Sequence, residues 1–139
     1  MRRAAALLAV AAVAGCGGGR HSTGPAGVVR AWSAALNRSD DDAAAALFAR
    51  DAEVVQAGAI ATLRTRDEAK AFNSSLPCSG RITKLDVRNE VVTATFVLGE
   101  RPHHACDAPG ASATAVFRVR DGKIVLWHQV GGAPATPPV

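Results

Sequence analysis

The chain has 139 residues, of which 48% are hydrophobic and 20% are charged. A chain of about this size folds as one domain and buries roughly 65% of the surface that its unfolded form exposes. The formal charge of +4 includes Arg2 and Arg3, and without them 14 basic residues face 12 acidic ones, a balance of +2. Charges so balanced and scattered exclude a nucleic-acid partner recognised through a basic surface.

An apolar run from residue 4 to residue 13 follows the two arginines. Its length of about ten residues is half of what a membrane-spanning helix requires, and it is typical of a secretion signal. The run ends in Val13-Ala14-Gly15-Cys16, which resembles the bacterial lipobox. This resemblance implies cleavage after residue 15 and attachment of a diacylglyceryl group to the thiol of Cys16. The alternative is an ordinary cleavable signal in which the cysteine is incidental.

The lipobox resemblance predicts a lipid-anchored protein on the extracytoplasmic side of the cell membrane or cell envelope. The composition of residues 16–25 is typical of a flexible tether. Residues 131–139 are mostly glycine, alanine and proline, and proline cannot donate to a strand ladder. We therefore expect a signal peptide over 1–15, a lipidated tether over 16–25, one domain over 26–130 and a disordered tail over 131–139.

The domain begins with the periodicity of amphipathic helices. Val28, Trp32 and Leu36 recur every four residues and predict a helix of about eleven residues with one apolar face. A second helix is expected directly after it, because Ser39-Asp40 offers N-cap oxygens and the run 43–49 carries its apolar residues.

Two short strands and a third helix follow in the pattern. The strands are predicted over 53–57 and 60–63, on either side of a glycine turn. Thr65 or Asp67 can cap the helix, and Pro77 ends it because proline lacks the amide that a helix needs.

The second half of the domain changes to the period of a β-sheet. Strands are predicted over 82–87, 91–98, 113–120 and 123–130. Turn residues at Asn89-Glu90 and Asp121-Gly122 indicate hairpins, so these strands form an antiparallel meander. Helices followed by a meander predict an α+β domain with its helices packed on one face of a curved sheet.

Three segments in this order resemble a known family. They are Asn37 to Asp42, Leu47 to Ala52, and the late hairpin Val119 to Val125. Together with the first helix they are similar to the SnoaL-like branch of the nuclear-transport-factor-2-like superfamily, over about residues 26–130. The resemblance implies a cone-shaped fold in which helices close a strongly curved antiparallel sheet around an apolar pocket. It implies no single chemistry, because this fold hosts isomerases, dehydratases, hydrolases, cyclases and proteins without known catalysis.

Strand parity and helix faces suggest which side chains would line such a pocket. The candidates are Trp32, Phe72, Phe96, Leu98, Phe117, Val119 and His128. On the last strand His128 shares parity with Ile124 and Leu126, which would direct it toward the pocket and place Trp127 on the opposite face. An outward Trp127 would create an apolar outer surface, and the resemblance implies that a homodimer could form through it. The alternative is that the tail covers Trp127.

Acid–base catalysis in an apolar pocket needs a carboxylate, tyrosine or histidine held there. The chain has no tyrosine, and its carboxylates fall at helix starts, turns and strand ends. The acid–base pairs of ketosteroid-isomerase-like or epoxide-hydrolase-like members are therefore not recognisable. His128 is the one candidate general base, with Gln129, Asp86, Asn73 or Gln56 as polar neighbours. The alternative is a histidine without a catalytic role.

Cys78 and Cys106 remain once Cys16 is assigned to lipid. In an exported domain, two remaining cysteines predict one disulfide. A loop of about 28 residues closed in this way stabilises a fold by roughly 3 kcal/mol.

A metal site and a cofactor are not expected. His103, His104, Cys106 and Asp107 share one loop, but adjacent histidines on an extended segment point in opposite directions and Cys106 is committed to the disulfide. Helix capping explains the three aspartates at 40–42 without a metal.

The sequence thus predicts a cell-envelope lipoprotein whose domain acts by non-catalytic binding. Two targets remain open, a small apolar ligand in the cone or a partner protein on the outer sheet. The alternative is an isomerase, dehydratase or hydrolase that uses His128 as general base. An open cavity of roughly a few hundred cubic ångströms lined by Phe96, Leu98, Phe117 and Val119 would favour the ligand, and a filled cone with an exposed Trp127 would favour the partner.

Overall fold

The computed structural model describes residues 24–132, which form three α-helices and six β-strands. In chain order these are α1 (Pro25–Asn37), α2 (Asp41–Ala46), β1 (Phe48–Gln56), β2 (Ala59–Leu63), α3 (Arg66–Ser75), β3 (Ser79–Arg88), β4 (Val91–Gly99), β5 (Ser112–Arg120) and β6 (Lys123–Gly132). The predicted signal peptide, Cys16, most of the tether and residues 133–139 lie outside the described residues. Within 24–132, no helix has the length and apolar character needed to cross a membrane.

Local sequence signals determine where the helices begin. Pro25 lies in the first turn of α1, where its missing amide would have no partner in any case. At the start of α2 the Asp40 carboxylate accepts a hydrogen bond from the amide of Ala43 at 3.0 Å. The Thr65 hydroxyl accepts one from the amide of Glu68 at 3.1 Å and caps α3. Of the candidates that the sequence offered at each helix start, Asp40 and Thr65 are the N-caps.

The six strands form one sheet in the order β2-β1-β6-β5-β4-β3. From β3 to β6 each strand pairs antiparallel with the next, as the meander prediction required. The first strand lies parallel to β6 and forms a hairpin with β2. Asp121 and Gly122 have φ angles of 51° and 73°, the left-handed conformation that a tight hairpin turn demands. Helices on a curled, mostly antiparallel sheet confirm the predicted fold class.

Several element boundaries differ from the prediction: β1 begins at Phe48 rather than at residue 53, and β3 at Ser79 rather than at residue 82. The second helix ends at Ala46 rather than near residue 49, because the backbone beyond it joins the sheet: the Ile124 amide donates to the Leu47 carbonyl at 2.8 Å. At the other end, β6 continues to Gly132, which still pairs with β5. The sheet therefore includes two glycines that were assigned to the tail.

Trp32 on α1 lies at the centre of an aromatic core. Its ring centroid is 5.2 Å from that of Phe117, 6.2 Å from Phe96 and 6.4 Å from Trp127. The contacts with the two phenylalanines are edge-to-face, a favoured geometry for aromatic pairs. The Trp32 Nε1–H donates to Asn73 Oδ1 on α3 at 2.8 Å. One side chain thus joins α1 to α3 and to three strands of the sheet.

Arg101 carries a buried charge just after β4, and its side chain is 0% exposed. The guanidinium donates to Ser39 Oγ at 3.0 Å, to the Asn73 carbonyl at 3.0 Å, to the Leu76 carbonyl at 2.8 Å and to Asp41 Oδ1 at 2.7 Å. These acceptors lie at the end of α1, the start of α2 and the end of α3, so one guanidinium joins all three helices. Asp41, expected only as a favourable charge in the first turn of α2, is also the counter-ion of Arg101.

We expect Asp41→Asn to lower the free energy of unfolding by about 3 kcal/mol, because it leaves a buried guanidinium without its counter-charge. Asp42→Asn is the matched control: it removes a charge from the same helix turn, but the Asp42 side chain is 68% exposed and pairs only with Lys70. The control should stay within about 1 kcal/mol of the wild type. Urea denaturation followed by circular dichroism measures both, and equal losses in the two variants would contradict the role of the buried pair.

Candidate functional site

A cavity of about 180 Å³ lies between α1 and the inner face of the sheet and is partly open to solvent. We call it the cone cavity. Its apolar walls are Trp32, Leu36, Leu76, Pro77, Phe96, Leu98, Ala113, Ala115 and Trp127. Its other lining residues are Ser33, Gln56, Cys78, Ser79, Gly80, Asp107, Thr114 and Gln129. The cavity is therefore mostly apolar, with polar groups near the ends of β1 and β6 and in the loop after β4.

Three of the seven predicted pocket residues, Trp32, Phe96 and Leu98, line this cavity. Phe117 and Val119 do not line it: they are 0% and 3% exposed in the packed core, and Phe117 is covered by the ring of Trp32. Phe72 also lies away from it, against Phe48 and Trp127. The expectation for these three was wrong because core packing buries Phe117 and Val119 and two other aromatic rings cover Phe72.

The last strand contains a β-bulge that reverses the expected orientation of its side chains. Val119 pairs with Ile124, but the next pair is Arg118 with Leu126, so Val125 is an extra residue. A strand that gains one residue changes the face of every side chain beyond it. Trp127 and not Leu126 therefore shares the inner face with Ile124.

This bulge corrects the predictions for two residues. His128 pairs with Val55 and Val116 on the outer side of the sheet and does not line the cavity. Trp127, expected on the outer surface, is 4% exposed and does line it. A general base at His128 would not reach a ligand in the cone. The exposed Trp127 patch that motivated a homodimer is also not found, and the dimer itself stays a prediction.

The polar residues that were proposed as neighbours of His128 also lie at different places in the structure. Asn73 is fully buried and accepts from Trp32, while Asp86 lies on the exposed part of β3 beside Arg88. Gln56 does line the cone cavity, where its amide donates to Gln129 Oε1 at 3.0 Å. The sequence pattern therefore identified two polar residues of the cavity, Gln56 and Gln129, but as partners of the wrong side chain.

Ionisable groups are scarce in the cone cavity. Among its described lining residues, Asp107 carries the one titratable side chain outside the disulfide, and it is exposed in the loop after β4. The hydroxyl of Ser33 is buried and donates to the Gly80 carbonyl at 2.8 Å. Within residues 24–132 no acid–base pair converges on the cavity, whose wall offers mainly apolar contact, neutral hydrogen-bonding groups and the exposed Asp107 carboxylate.

The indole of Trp127 is the exception among the buried polar groups. Its Nε1–H is buried and has no hydrogen-bond partner within residues 24–132, whereas Trp32 Nε1 is bonded to Asn73. A buried donor without a partner costs about 1–3 kcal/mol, and native proteins contain few of them. Sequence reasoning missed this group because it placed Trp127 on the outer face.

Cys78 and Cys106 form the predicted disulfide. Cys78 lines the cone cavity, so the cross-link fixes the loop that follows α3 at the wall of the cavity. Cys78, Cys106 and Asp107 also form the one cluster of possible metal ligands among the described residues, but the two sulfurs are bonded to each other. The His104 ring lies 3.0 Å from the carbonyls of Pro102 and Ser74, away from that cluster.

A second, wider cavity of about 450 Å³ lies outside the cone and is lined by cationic side chains. They are Arg50, Arg64, Arg66 and Lys123. All four are exposed, and Arg66 and Lys123 already donate to the carbonyls of Asp42 and Ala46. The fold thus separates its exposed positive charge from the apolar cone.

Comparison with known proteins supports the resemblance that the sequence suggested. The model of the SnoaL-like domain family matches residues 29–127. No curated protein sequence matches the chain significantly.

Solved structures share the fold at low sequence identity. An NTF2-like protein of unknown function from Cytophaga hutchinsonii superposes with a TM-score of 0.65 at 11% identity, covering 80% of this chain and 92% of its own. A protein of ketosteroid isomerase-like fold from Catenulispora acidiphila, solved with trimethylamine, has a TM-score of 0.63 at 23% identity, with 78% and 87% covered. A candidate polyketide cyclase from Xanthomonas campestris has a TM-score of 0.55 at 24% identity, with 76% and 87% covered. At these identities the similarity establishes the fold alone.

We expect the disulfide to stabilise the domain by about 3 kcal/mol, because it closes a loop of 28 residues in the unfolded chain. The comparison is made in the Cys16→Ser background, where Cys78 and Cys106 are the only cysteines. Replacing both by serine should lower the urea midpoint and the melting temperature. Thiol titration of the folded Cys16→Ser chain should find no reactive thiol before reduction and two after it; two reactive thiols before reduction would contradict the cross-link.

Proposed function

Because the chain belongs to the SnoaL-like domain family, we propose that it is a lipid-anchored, extracytoplasmic protein whose domain binds a small apolar molecule in the cone without transforming it. The proposal has two parts, the ligand in the cone and the anchor at Cys16. The two parts rest on different observations and are tested separately.

The observation that supports binding is the cone cavity itself. Aromatic and aliphatic side chains form most of its wall, including Trp32, Phe96, Leu98 and Trp127. Its volume of about 180 Å³ is smaller than that of a typical drug-binding site. An apolar cavity of about 150 Å³ is nevertheless large enough for benzene. We therefore infer a ligand of about the size of one ring, stabilised mainly by removal of its apolar surface from water.

The composition of the wall favours binding over catalysis. An enzyme that moves a proton needs an acid or base within hydrogen-bond reach of its substrate. His128 faces away from the cone, and Asp107 is exposed at the loop after β4. The isomerase-like and cyclase-like names of the structural relatives do not supply these missing groups, because fold similarity does not carry chemistry with it.

The anchor is supported by the sequence around Cys16 and by the cross-link. The lipobox-like Val13-Ala14-Gly15-Cys16 follows a charged start and an apolar run. A disulfide between Cys78 and Cys106 is compatible with an oxidising compartment outside the cytoplasm. In this interpretation the lipid holds the domain at the membrane, and the cone cavity binds molecules that are present on the extracytoplasmic side.

Toluene tests the cone as a binding site. We expect a dissociation constant on the order of 0.1–1 mM, in keeping with the energy that a ligand of this size gains per atom. Trp32 and Trp127 are the two tryptophans of the chain and both line the cavity, so intrinsic fluorescence of the Cys16→Ser protein should change on binding. The melting temperature should rise as toluene approaches saturation.

A cavity-filling variant locates this site. Ala115→Leu adds three carbons at the cavity wall and should weaken toluene binding at least tenfold. Val116→Leu is the matched control, because the neighbouring residue faces the outer side of the sheet opposite His128. Circular dichroism verifies that both variants fold. Equal toluene affinity in the wild type and in both variants would place the probe outside the cone.

A fatty-acid probe tests the anchor. Metabolic labelling of the producing cells should tag the wild-type chain, and Cys16→Ser should remove the tag completely because the acceptor thiol is gone. Cys78→Ser serves as the control and should keep the tag. A wild-type chain that stays unlabelled, or a Cys16→Ser chain that keeps its label, would exclude lipidation at this cysteine.

A further inference from the structure

The cavity of about 450 Å³ outside the cone, here called the cationic cavity, is lined by Arg50, Arg64, Arg66 and Lys123. The pairing of the strands brings these residues together, because β1 lies antiparallel to β2 and parallel to β6. Arg50 is the third residue of β1, Arg64 directly follows β2, Arg66 begins α3 and Lys123 begins β6. Residues that are scattered in the sequence therefore converge at one end of the sheet.

No carboxylate within residues 24–132 neutralises these four charges. The described residues that line the cationic cavity include no aspartate or glutamate, and none of the four cations forms an ion pair in this part of the chain. Asp42 on α2 pairs with Lys70 at 3.2 Å, and Glu68 on α3 accepts from the backbone amide of Arg64, but neither lines the cavity. Like charges around one cavity create a positive potential that attracts anions.

The four cations keep most of their hydrogen-bond donors for a ligand. The Arg66 guanidinium donates to the Asp42 carbonyl at 2.7 Å, and the Lys123 ammonium donates to the Ala46 carbonyl at 2.6 Å. These carbonyls are neutral, so they hold the two side chains in place without cancelling their charge. A guanidinium has five N–H donors and an ammonium has three. The side chains of the other two arginines have no hydrogen-bond partner among the described residues.

We propose that the cationic cavity binds the phosphate group of a small phosphate monoester. Such a group carries nearly two negative charges at neutral pH and offers three strong acceptor oxygens. Arginine presents paired donors that match two of these oxygens at once. Three arginines and a lysine therefore suit a dianion with several oxygens better than a single carboxylate. The cavity has more than twice the volume of the cone cavity, which leaves room for the alcohol part of the ester.

This site lies outside the cone, and the proposal is independent of the apolar ligand. A phospholipid headgroup is another source of a phosphate group. Its phosphodiester carries one negative charge rather than two, so a cluster of four cations favours the monoester.

β-Glycerophosphate and glycerol form a matched pair of probes, because they differ only in the phosphate. Amide signals of the Cys16→Ser protein are followed by nuclear magnetic resonance at low ionic strength, where surface charges are least screened. β-Glycerophosphate should shift the signals of the four cationic residues and their neighbours, with a dissociation constant on the order of 1 mM for an exposed site. Glycerol should leave these signals unchanged.

Two double variants with the same loss of charge locate the site. Arg50→Gln combined with Arg64→Gln should weaken β-glycerophosphate binding at least tenfold. The matched control combines Arg81→Gln with Lys84→Gln, since both residues are exposed and lie on β3 at the far edge of the sheet. The control should bind within about twofold of the unmodified site, because distant surface charges are largely screened.

Circular dichroism verifies that both double variants fold. Toluene affinity should be the same in both, because none of the four substituted residues lines the cone cavity.

The remaining outcomes overturn the proposal. Absence of amide shifts with β-glycerophosphate, or shifts spread over the whole domain, would show that the cavity is not a phosphate site. Equal weakening in the two double variants would show attraction by net charge alone. Sedimentation with phosphatidylglycerol vesicles, compared with phosphatidylcholine vesicles, tests the lipid source. If the vesicles bind through Arg50 and Arg64 while β-glycerophosphate does not bind, the occupant is a membrane surface and the monoester is excluded.

Discussion

The buried guanidinium of Arg101 sets the position of the helices over the sheet. It follows β4 directly, and it bonds to groups at the end of α1, the start of α2 and the end of α3. A charge in this environment requires all its partners, because an unpaired buried ion loses several kcal/mol of solvation. The three helix ends are therefore held relative to one strand end by one side chain. The cone keeps its shape because the three helices that cover it cannot move independently of the sheet.

This polar network extends to the wall of the cavity. The Asn73 carbonyl accepts from Arg101, and its side-chain oxygen accepts from the Nε1–H of Trp32. Trp32 in turn packs edge-to-face on Phe96 and Phe117. The same residue that completes the ion-pair network therefore fixes the orientation of the Trp32 ring in the cavity. It also satisfies that indole, whereas the Trp127 N–H has no partner among residues 24–132.

Local signals in the sequence predicted most of the fold. The apolar spacing of α1 and the turn at Asp121-Gly122 depend on neighbouring residues and were predicted correctly. Local signals also limited each of the caps of α2 and α3 to two candidates, of which Asp40 and Thr65 are the caps. The Asp41–Arg101 pair could not be found in this way, since 60 positions separate its members. Hydrophobic pattern also failed at the start of β1, where pairing with a strand some 75 residues away ends the helix.

The site was harder to predict than the fold. Side chains alternate between the two faces of a strand, so a prediction of which residues face the cavity holds only if the strand has no extra residue. One extra residue at Val125 exchanges the faces of the residues that follow it as far as Gln129, after which the ladder shifts again. No side chain in this segment marks the bulge, so the sequence alone placed His128 inside and Trp127 outside. The assignment of the disulfide was safer, because only two cysteines remained and no face had to be chosen.

The bulge also determines which ring β6 presents on the inner face of the sheet. Without it, the inner face of β6 would present an imidazole that can exchange a proton near neutral pH. With it, the inner face presents an indole, which donates a hydrogen bond but has no proton to transfer under these conditions. The register of the ladder, and not the residue types of β6, thus decides which of two adjacent rings faces the cone.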